Sequence, residues 1–209
     1  MIINKGQIAQ MEKRFRTTFI NSLPGYKCLQ LVGTISGDGI TNLALFNSIF
    51  HVGANPPLLG MVFRPETPNH DTLKNIQATG QYTLNNVLPA WYKQAHMASA
   101  SYPKETSEFE SCNFSKSYLE NFKPPFVLQS SIKIGMELRE LIELDINQTT
   151  LVIGEVVLCT MDGAIVSDDG YVDHLYAGSV TVSGLDSYFT TQALARLSYA
   201  KPGQMPAEI

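Results

Sequence analysis

Apolar and polar residues alternate most clearly between Ile132 and Ile146. The apolar residues of one parity there are Ile132, Ile134, Met136, Leu138, Ile142, Leu144 and Ile146. A period of two is typical of a β-strand with one buried face. Glu140 is the exception in this parity and predicts a bulge or a bend. After a turn over Asp145–Gln148, the nearly all-apolar stretch Leu151–Leu158 predicts a returning strand.

Shorter strands are predicted in the first half of the chain, over Lys27–Ile35, Asn42–Phe50, Leu58–Phe63 and Gln81–Val87. Asp38-Gly39 predicts a tight hairpin turn between the first two strands, because glycine supplies the positive φ that such turns require. Pro56-Pro57 interrupts regular pairing ahead of the third strand. The spacing of six or more strands is typical of hairpins and favours an antiparallel barrel over a doubly wound sheet.

Helical periodicity is confined to a few short segments. A leading helix is predicted over residues 7–15, and a second helix begins with Asp71 as its N-cap and ends at Gly80. Pro89 predicts the start of a third helix, and a last helix is expected from about Asp186. Residues 101–125 are predicted to form a loop with short helical segments.

Composition supports one folded domain, placed over residues 1–209 with a core at about 15–202. Of the 209 residues, 44% are hydrophobic and 16% charged, which is enough apolar material for a core. The net charge of −4 argues against a nucleic-acid partner, because such surfaces cluster Lys and Arg. No stretch approaches the ~18 apolar residues of a membrane span. We expect a soluble cytoplasmic protein without a membrane or nucleic-acid partner.

The sequence lacks the motifs of several familiar metal and catalytic sites, and this limits the chemistry that can be predicted from it. Cys28, Cys112 and Cys159 lie far apart without a CxxC pair, so we expect buried thiols rather than a disulfide or a zinc site. The four histidines show no metal-ligand spacing, and no side chain stands out as a catalytic acid, base or nucleophile. No metal site and no catalytic side chain is therefore predicted.

The start of the second helix, Asn69-His70-Asp71-Thr72, is the best local candidate for binding an anion. A helix N-terminus presents unpaired backbone N–H groups and partial positive charge. Thr72 adds a hydroxyl donor, and His70 and Arg64 add further donors. The alternative is an ordinary capped helix, with Asp71 satisfying the N–H groups itself.

The segment from Asn42 to Phe50 is the second candidate. Asn42, Asn47 and Ser48 are poor strand formers, and their donors could face an acceptor-rich ring edge. The alternative is a twisted edge strand with solvated amides. Nearby aromatic residues could cover a flat ligand or a partner subunit, although core packing is favoured for them: Trp91, Tyr92, Phe109 and Phe114.

Taken in order, these motifs resemble those of the flavin reductase-like (DIM6/NTAB) family over roughly residues 15–202. The motifs that carry the resemblance are Val32-Gly33-Thr34, Asp38-Gly39, Asn47-Ser48, Asn55-Pro56-Pro57, His70-Asp71-Thr72, Thr79-Gly80, Ser107-Glu108-Phe109-Glu110, Pro124-Pro125, Gly154-Glu155-Val156, Ser183-Gly184-Leu185 and Tyr199-Ala200-Lys201-Pro202. Each motif is weak alone, and their order makes the resemblance strong. The flavoredoxin-like members of the family look most similar.

This resemblance implies a mainly β fold, a six-stranded antiparallel split β-barrel with peripheral helices, and a homodimer that binds FMN near the subunit interface. It places cofactor-binding residues at Asn42, Ala44, Asn47, Ser48, Ile49, Phe50, Arg64, His70, Thr72, Asn85 and Tyr188. Among them, Arg64, His70 and Thr72 fall where phosphate contacts are expected. Tyr188 falls near the exposed side of the flavin.

The resemblance implies an FMN-binding oxidoreductase in which NAD(P)H delivers hydride to the flavin. Two alternatives stay open: an FMN electron carrier reduced by a protein partner, and a non-enzymatic dimeric barrel that binds a ligand. Gly53 and Asn55 depart from the family's Val-Ser-x-Asp-Pro-Pro, and Ser183-Gly184 replaces a Gly-Gly pair. No histidine follows Tyr188 as in some NADH-using members, so nicotinamide use is less secure than FMN binding.

Overall fold

The computed structural model describes residues 1–65 and 71–209. Helices occur at α1 Lys5–Gln10, α2 Lys13–Ser22, α3 Asp71–Thr79, α4 Tyr92–Met97 and α5 Glu108–Ser111, with a 3₁₀ turn at Gly163–Ile165. Strands are β1 Tyr26–Cys28, β2 Gln30–Ile35, β3 Thr41–Phe46, β4 Ile49–Ala54, β5 Pro57–Phe63, β6 Gln81–Asn86, β7 Lys116–Ser117, β8 Phe126–Val127, β9 Ile132–Leu144, β10 Thr149–Met161, β11 Thr181–Ser183 and β12 Ser187–Phe189.

One large antiparallel sheet organises the protein, with strand order β3-β2-β6-β9-β10-β5-β4. Its two edge strands, β3 and β4, are joined in the chain only by Asn47 and Ser48. So short a connection spans on the order of 10 Å, so the sheet must curl until its edges approach each other. The mainly β, antiparallel split-barrel fold with peripheral helices is thereby confirmed.

The large sheet has seven strands and not the predicted six, because one predicted strand is divided into two. The segment from Asn42 to Phe50 breaks at Asn47–Ser48 and places its halves at opposite edges of the sheet, which therefore has seven strands. Likewise, the predicted strand Lys27–Ile35 divides into β1 and β2. Strand β1 leaves the large sheet and pairs with β11 in a second, three-stranded sheet of order β1-β11-β12.

The interior of the barrel is apolar and is capped by α3. Its buried residues are Val32, Met61, Phe63, Leu73, Ile76, Tyr82, Leu84, Met136 and Val152. Helix α3 contributes Leu73 and Ile76, which lie on one face at helical spacing. Gly80 ends this helix as predicted, with φ of +71° and its N–H donated to the carbonyl of Ile76.

A second apolar cluster covers the outer face of β2 and β3 beneath α4 and α5. It includes Leu31, Leu43, Trp91, Phe109 and Phe114, while Tyr92 and Tyr188 pack against it partly buried. The preference for core packing of Trp91, Phe109 and Phe114 is therefore confirmed. Alternate residues of β3 face the two clusters, because side chains alternate along a strand.

The hairpin of β9 and β10 contains the bulge expected at Glu140, with consequences that were not predicted. Glu140 pairs with Ile153 and Leu138 pairs with Gly154, so Arg139 is the extra residue. One inserted residue exchanges the two faces of a strand. Leu141 therefore packs toward the barrel interior, whereas Ile142, Leu144 and Ile146 are exposed. The prediction that all the alternating residues share one face is wrong beyond Arg139.

Four further predictions need correction. The helix expected from Asp186 is wrong, because Ser187–Phe189 forms strand β12. The leading helix is two helices, α1 and α2, and the helix expected from Pro89 begins only at Tyr92. Of the three cysteines, only Cys112 is buried, and Cys28 and Cys159 are exposed.

No helix in the described part of the chain combines the length and apolar character that crossing a bilayer requires.

Candidate functional site

The structure brings two of the predicted site residues, Asn42 and Thr72, into contact where β3 meets α3. The Asn42 side-chain Nδ2 donates to Thr72 Oγ1 at 3.0 Å and to Thr34 Oγ1 at 3.2 Å. Asn75 Nδ2 donates to the same Thr34 oxygen at 3.1 Å. Thr34 is fully buried and Thr72 nearly so. This network holds the half-buried Asn42 amide in one orientation on the side of the barrel that α3 covers.

The junction of Asn47 and Ser48 is tied to two other parts of the fold. Asn47 Nδ2 donates to the carbonyl of Gly184 at 2.8 Å, and the Ser48 hydroxyl donates to Asn47 Oδ1 at 3.2 Å. The Val62 N–H donates to the Ser48 carbonyl at 3.1 Å. These bonds connect the split between β3 and β4 to β5 and to the β11–β12 hairpin.

Apolar predicted residues flank this junction on both sides. Ala44 pairs with Val32 across β3 and β2 and shares the Asn42 face of its strand. Ile49 packs against the interior cluster, whereas Phe50 on the edge strand β4 is 45% exposed. The Phe50 ring lies over Gly60, where an added Cβ would stand 2.6 Å from the ring. The glycine therefore leaves room for the end of the Phe50 ring beside β5.

Two basic residues occur on or next to the strands beside this junction. Arg64 directly follows β5 and is exposed, and Lys27 is half-buried on β1. Burial, and then the charge of Arg64, lower the pKa of Lys27. An anion between the two side chains would offset both effects. Sequence reasoning missed Lys27, and its only signal was a basic residue at the start of a predicted strand.

The predicted anion-binding turn is described only in part. Asn69 and His70 lie outside the described residues, so their predicted roles stay predictions. Thr72 lies in the first turn of α3 and is 7% exposed. Its hydroxyl accepts from Asn42 and donates to no acceptor among the described residues, so its proton can serve a second acceptor.

Tyr188 is joined to a residue that sequence reasoning did not select. The Tyr188 hydroxyl lies 2.5 Å from Nδ1 of His96 on α4, and the two rings meet edge to face. The Tyr92 ring packs against Tyr188 with centroids 5.5 Å apart. Burial raises the pKa of Tyr188, and the nearby Asp186 carboxylate raises it further. No local signal in the sequence connects His96 with Tyr188.

Asn85 lies away from the other predicted residues. It is fully buried, and its Nδ2 donates to the Leu31 carbonyl and to Thr83 Oγ1, both at 3.0 Å. Its Oδ1 accepts from the Val127 N–H at 2.9 Å. Asn85 thus ties β2, β6 and β8 together, and its contact with a cofactor stays a prediction.

The described surface has two depressions near β3. A cavity of about 450 Å³ is lined by Gly39, Ile40, Thr41, Glu105, Thr106, Ser107, Glu110 and Lys116. A small one of about 20 Å³ reaches Asn42, Asp71 and Asn75. It also contains Glu108, which accepts from the Leu43 N–H at 2.9 Å and whose pKa is raised by burial and by Asp71. Neither depression is lined by Asn47 or Ser48, which are half-buried, or by Phe50, which is exposed.

The polar groups of these residues fit a flavin nucleotide. Asn47 keeps one amide proton for an acceptor-rich ring edge, and the Asn42 amide oxygen can accept from a hydroxyl of a ribityl chain. Lys27 and Arg64 offer two cations suited to a phosphate. The exposed Phe50 ring offers an apolar surface for a planar group.

Comparison with known proteins places this architecture among flavin enzymes. The sequence profile of the flavin reductase like domain matches residues 28–177. A solved structure from Shewanella frigidimarina NCIMB 400, a candidate flavin reductase with a split barrel domain, is 45% identical. It superposes with a TM-score of 0.92 over 96% of this chain and 100% of its own.

More distant solved structures share the fold. Nitrilotriacetate monooxygenase component B from Bacillus cereus is 19% identical, with a TM-score of 0.82 over 94% of this chain and 98% of its own. Flavoredoxin of Desulfovibrio vulgaris (Miyazaki F) is 22% identical, with a TM-score of 0.70 over 86% of this chain and 92% of its own.

Proposed function

This chain belongs to the flavin reductase-like family of split-barrel oxidoreductases, and we propose that it binds FMN and transfers hydride from NAD(P)H through it. Flavin supplies the redox chemistry when bound, taking up a hydride equivalent and passing electrons to an acceptor. The observation that carries the proposal is the contact between Asn42 and Thr72, which joins two separately predicted site residues.

The side chains of this chain would bind and orient the cofactor. The second amide proton of Asn47 and the Ser48 main-chain N–H would donate to the ring edge, the Asn42 amide oxygen would accept from a ribityl hydroxyl, and Thr72, Arg64 and Lys27 would bind the phosphate. Side chains held by other hydrogen bonds lose little freedom on binding, as the Thr34 and Gly184 contacts imply. Such preorganised donors also stabilise negative charge that develops on a reduced ring.

The proposal includes a homodimer. Strand β4 is an edge strand with exposed Phe50 and Val52, and the half-buried Asn47 and Ser48 lead into it. Unpaired, apolar edges of this kind are covered in native proteins. A second subunit over this edge would enclose a site that one chain leaves open. The cytoplasmic location stays the prediction made from the sequence.

Nicotinamide use is supported by the position of His96. The sequence lacks a histidine after Tyr188, but α4 places an imidazole 2.5 Å from the Tyr188 hydroxyl. The His96–Tyr188 pair lies beside the Tyr92 ring, and polar groups next to an aromatic ring are suited to binding a second planar substrate. An electron carrier reduced by a protein partner is the alternative, and the fold shared with flavoredoxin is compatible with it.

Spectra and steady-state kinetics test the proposal. We expect the purified protein, or protein titrated with FMN, to show flavin bands near ~375 and ~450 nm. Oxidation of NADH or NADPH by the FMN-loaded protein supports the reductase, and a yellow protein inert to both supports the carrier. Protein that neither carries nor binds FMN would contradict both.

The phosphate assignment is tested with riboflavin, which lacks the phosphate. We expect Lys27→Gln/Arg64→Gln to lower FMN affinity about tenfold or more, the value of a charge-assisted contact, and to leave riboflavin affinity nearly unchanged. Lys201→Gln, on the exposed C-terminal segment, is the matched control. An equal loss for both ligands would contradict the assignment.

A further inference from the structure

Strand β3 is an edge of the large sheet, and α5 binds its free side. Leu43 of β3 pairs with Gly33 of β2, and β3 has no strand on its other side within the described ranges. The Leu43 N–H donates instead to Glu108 Oε2 at 2.9 Å. Native proteins cover the unpaired backbone groups of an edge strand, and here a carboxylate at the start of α5 covers one of them. Phe109, the next residue, is fully buried in the second apolar cluster and anchors Glu108.

A second contact with the same edge comes from the residue before Glu108. Thr41 Oγ1 and Ser107 Oγ lie 2.8 Å apart, and Thr41 is 6% exposed. Ser107 and Glu108 are adjacent in the chain, so they fasten β3 at Thr41 and at Leu43. These two attachment points lie on either side of Asn42.

The side chain of Asn42 depends on the position of this short piece of strand. Residues 41 and 43 are only about 7 Å apart along a strand, so fixing both fixes the backbone between them. The Asn42 amide then reaches Thr34 and Thr72 at 3.2 and 3.0 Å. Those two bonds require β3 to keep its register with β2 and its distance from α3. An edge strand held only from one side would fray more readily at this end.

We propose that Ser107 and Glu108 are positioning residues for the candidate flavin site: they clamp the free edge of β3 and thereby hold Asn42 in the orientation that meets Thr72. Neither residue is assigned a contact with the flavin. This inference rests on the proposed function and adds to it a sequence motif that the binding residues do not include. An ionised carboxylate suits this role, because hydrogen bonds to charged groups are roughly twice as strong as neutral ones.

The charge of Glu108 makes the clamp sensitive to pH. Burial raises the pKa of Glu108, the Leu43 N–H opposes this, and the carboxylates of Asp71 and Glu110 raise the pKa further. The other titratable groups around this carboxylate are Lys104, Tyr102 and Cys112. Acid therefore protonates Glu108 at a higher pH than an ordinary carboxyl requires, and the neutral form is a weaker acceptor for the Leu43 N–H.

Riboflavin titration of matched variants tests the clamp, because riboflavin has no phosphate that a carboxylate could repel. We expect Glu108→Ala to lower riboflavin affinity about fivefold or more and Ser107→Ala to lower it about twofold. Glu108→Gln keeps an oxygen that accepts from Leu43 and should stay within about threefold of wild type. Glu105→Gln removes a charge from the exposed loop before α5 and is the control, with unchanged affinity.

The pH profile of the same titration gives a readout that a purely structural role would not change. As the pH is lowered from neutrality, riboflavin affinity should fall in wild type and in Glu105→Gln, because Glu108 becomes protonated in both. Glu108→Gln has no proton to gain at this position and should lack that fall. Identical profiles of wild type and Glu108→Gln would overturn the assignment, and they decide it if Glu108→Ala does not fold.

Hydrogen exchange of the flavin-free protein, measured by NMR, separates this inference from the proposed function. We expect the Leu43 backbone amide and the Asn42 side-chain amide to exchange about tenfold faster in Glu108→Ala, and at the wild-type rate in Glu105→Gln. Faster exchange at Leu43 alone, with the Asn42 amide unaffected, would overturn the positioning of Asn42. If both amides respond and the wild-type protein binds no flavin, the clamp stands and only the proposed function fails.

Discussion

At the scale of single residues, the candidate site is a set of donors that the protein itself has oriented. Asn42 and Thr72 meet across β3 and α3, and Asn47 is held by Gly184. Residue type and order in the sequence were enough to select these three. Lys27 and His96 could not be selected from the sequence. They become candidates only because Lys27 feels the charge of Arg64 and His96 contacts Tyr188, and both of these partners are distant in the chain.

The Thr72 hydroxyl gives the sharpest test at this scale. Thr72→Ala removes an acceptor of Asn42 and the proposed donor to the phosphate, so we expect FMN affinity to fall by roughly 1–2 kcal/mol, about 5- to 30-fold. Fluorescence titration with FMN measures the change. Thr72→Ser keeps the hydroxyl and should bind nearly as wild type. Equal affinity in wild type and alanine variant would show that Thr72 does not contact the phosphate.

At the scale of elements, bulges and close glycines determine how strands meet. The extra residue Arg139 shifts β9 against β10, opposite Gly154, and reverses the faces beyond it. Gly154 allows Tyr82 of β6 to approach, since an added Cβ would lie 2.1 Å from the Tyr82 hydroxyl oxygen. The sequence predicted the long hairpin and an irregularity at Glu140. It could not predict that the two faces of β9 are exchanged beyond Arg139, because this depends on the register of β9 with a neighbouring strand.

Substitution of Gly154 tests this close approach. Tyr82 is buried and cannot move aside freely, so we expect Gly154→Ala to destabilise the protein by about 1–3 kcal/mol through overcrowding. Urea unfolding followed by fluorescence gives the free energy. Gly163→Ala, where an added Cβ meets nothing within 4 Å, is the control and should change stability by less than about 0.5 kcal/mol. Similar stability of both variants would refute the predicted crowding.

At the scale of the whole molecule, segments outside the barrel are held by few contacts. The backbone bridges of the C-terminal segment, Leu197 with Glu208 and Lys201 with Gln204, join the segment to itself. Arg196 connects it to the body: its Nη2 lies 2.5 Å from Asp169 Oδ2, and its guanidinium lies over the Tyr171 ring. Together with α2, this segment gives the chain apolar surface at both ends.

Loss of Arg196 should release the C-terminal segment. We expect Arg196→Gln to speed chymotrypsin cleavage after the exposed Tyr199 several-fold, because the ion pair and the cation–π contact are both lost. Mass spectrometry of a digestion time course measures the rate. Arg139→Gln removes an arginine that pairs with Glu137 and Glu155 on the barrel and serves as the control. Unchanged cleavage of the Arg196 variant would show that other contacts hold the segment.

The sequence by itself determined the antiparallel β class, the hairpin turn at Gly39, the end of α3 at Gly80, and the family. These features depend on periodicity, turn chemistry and motif order, which nearby residues encode. Only the tertiary structure decided that β3 and β4 form opposite edges, that Lys27 lies near Arg64, and that His96 meets Tyr188 from 92 positions away. Such contacts depend on how the sheet curls and packs, and no local sequence pattern encodes them.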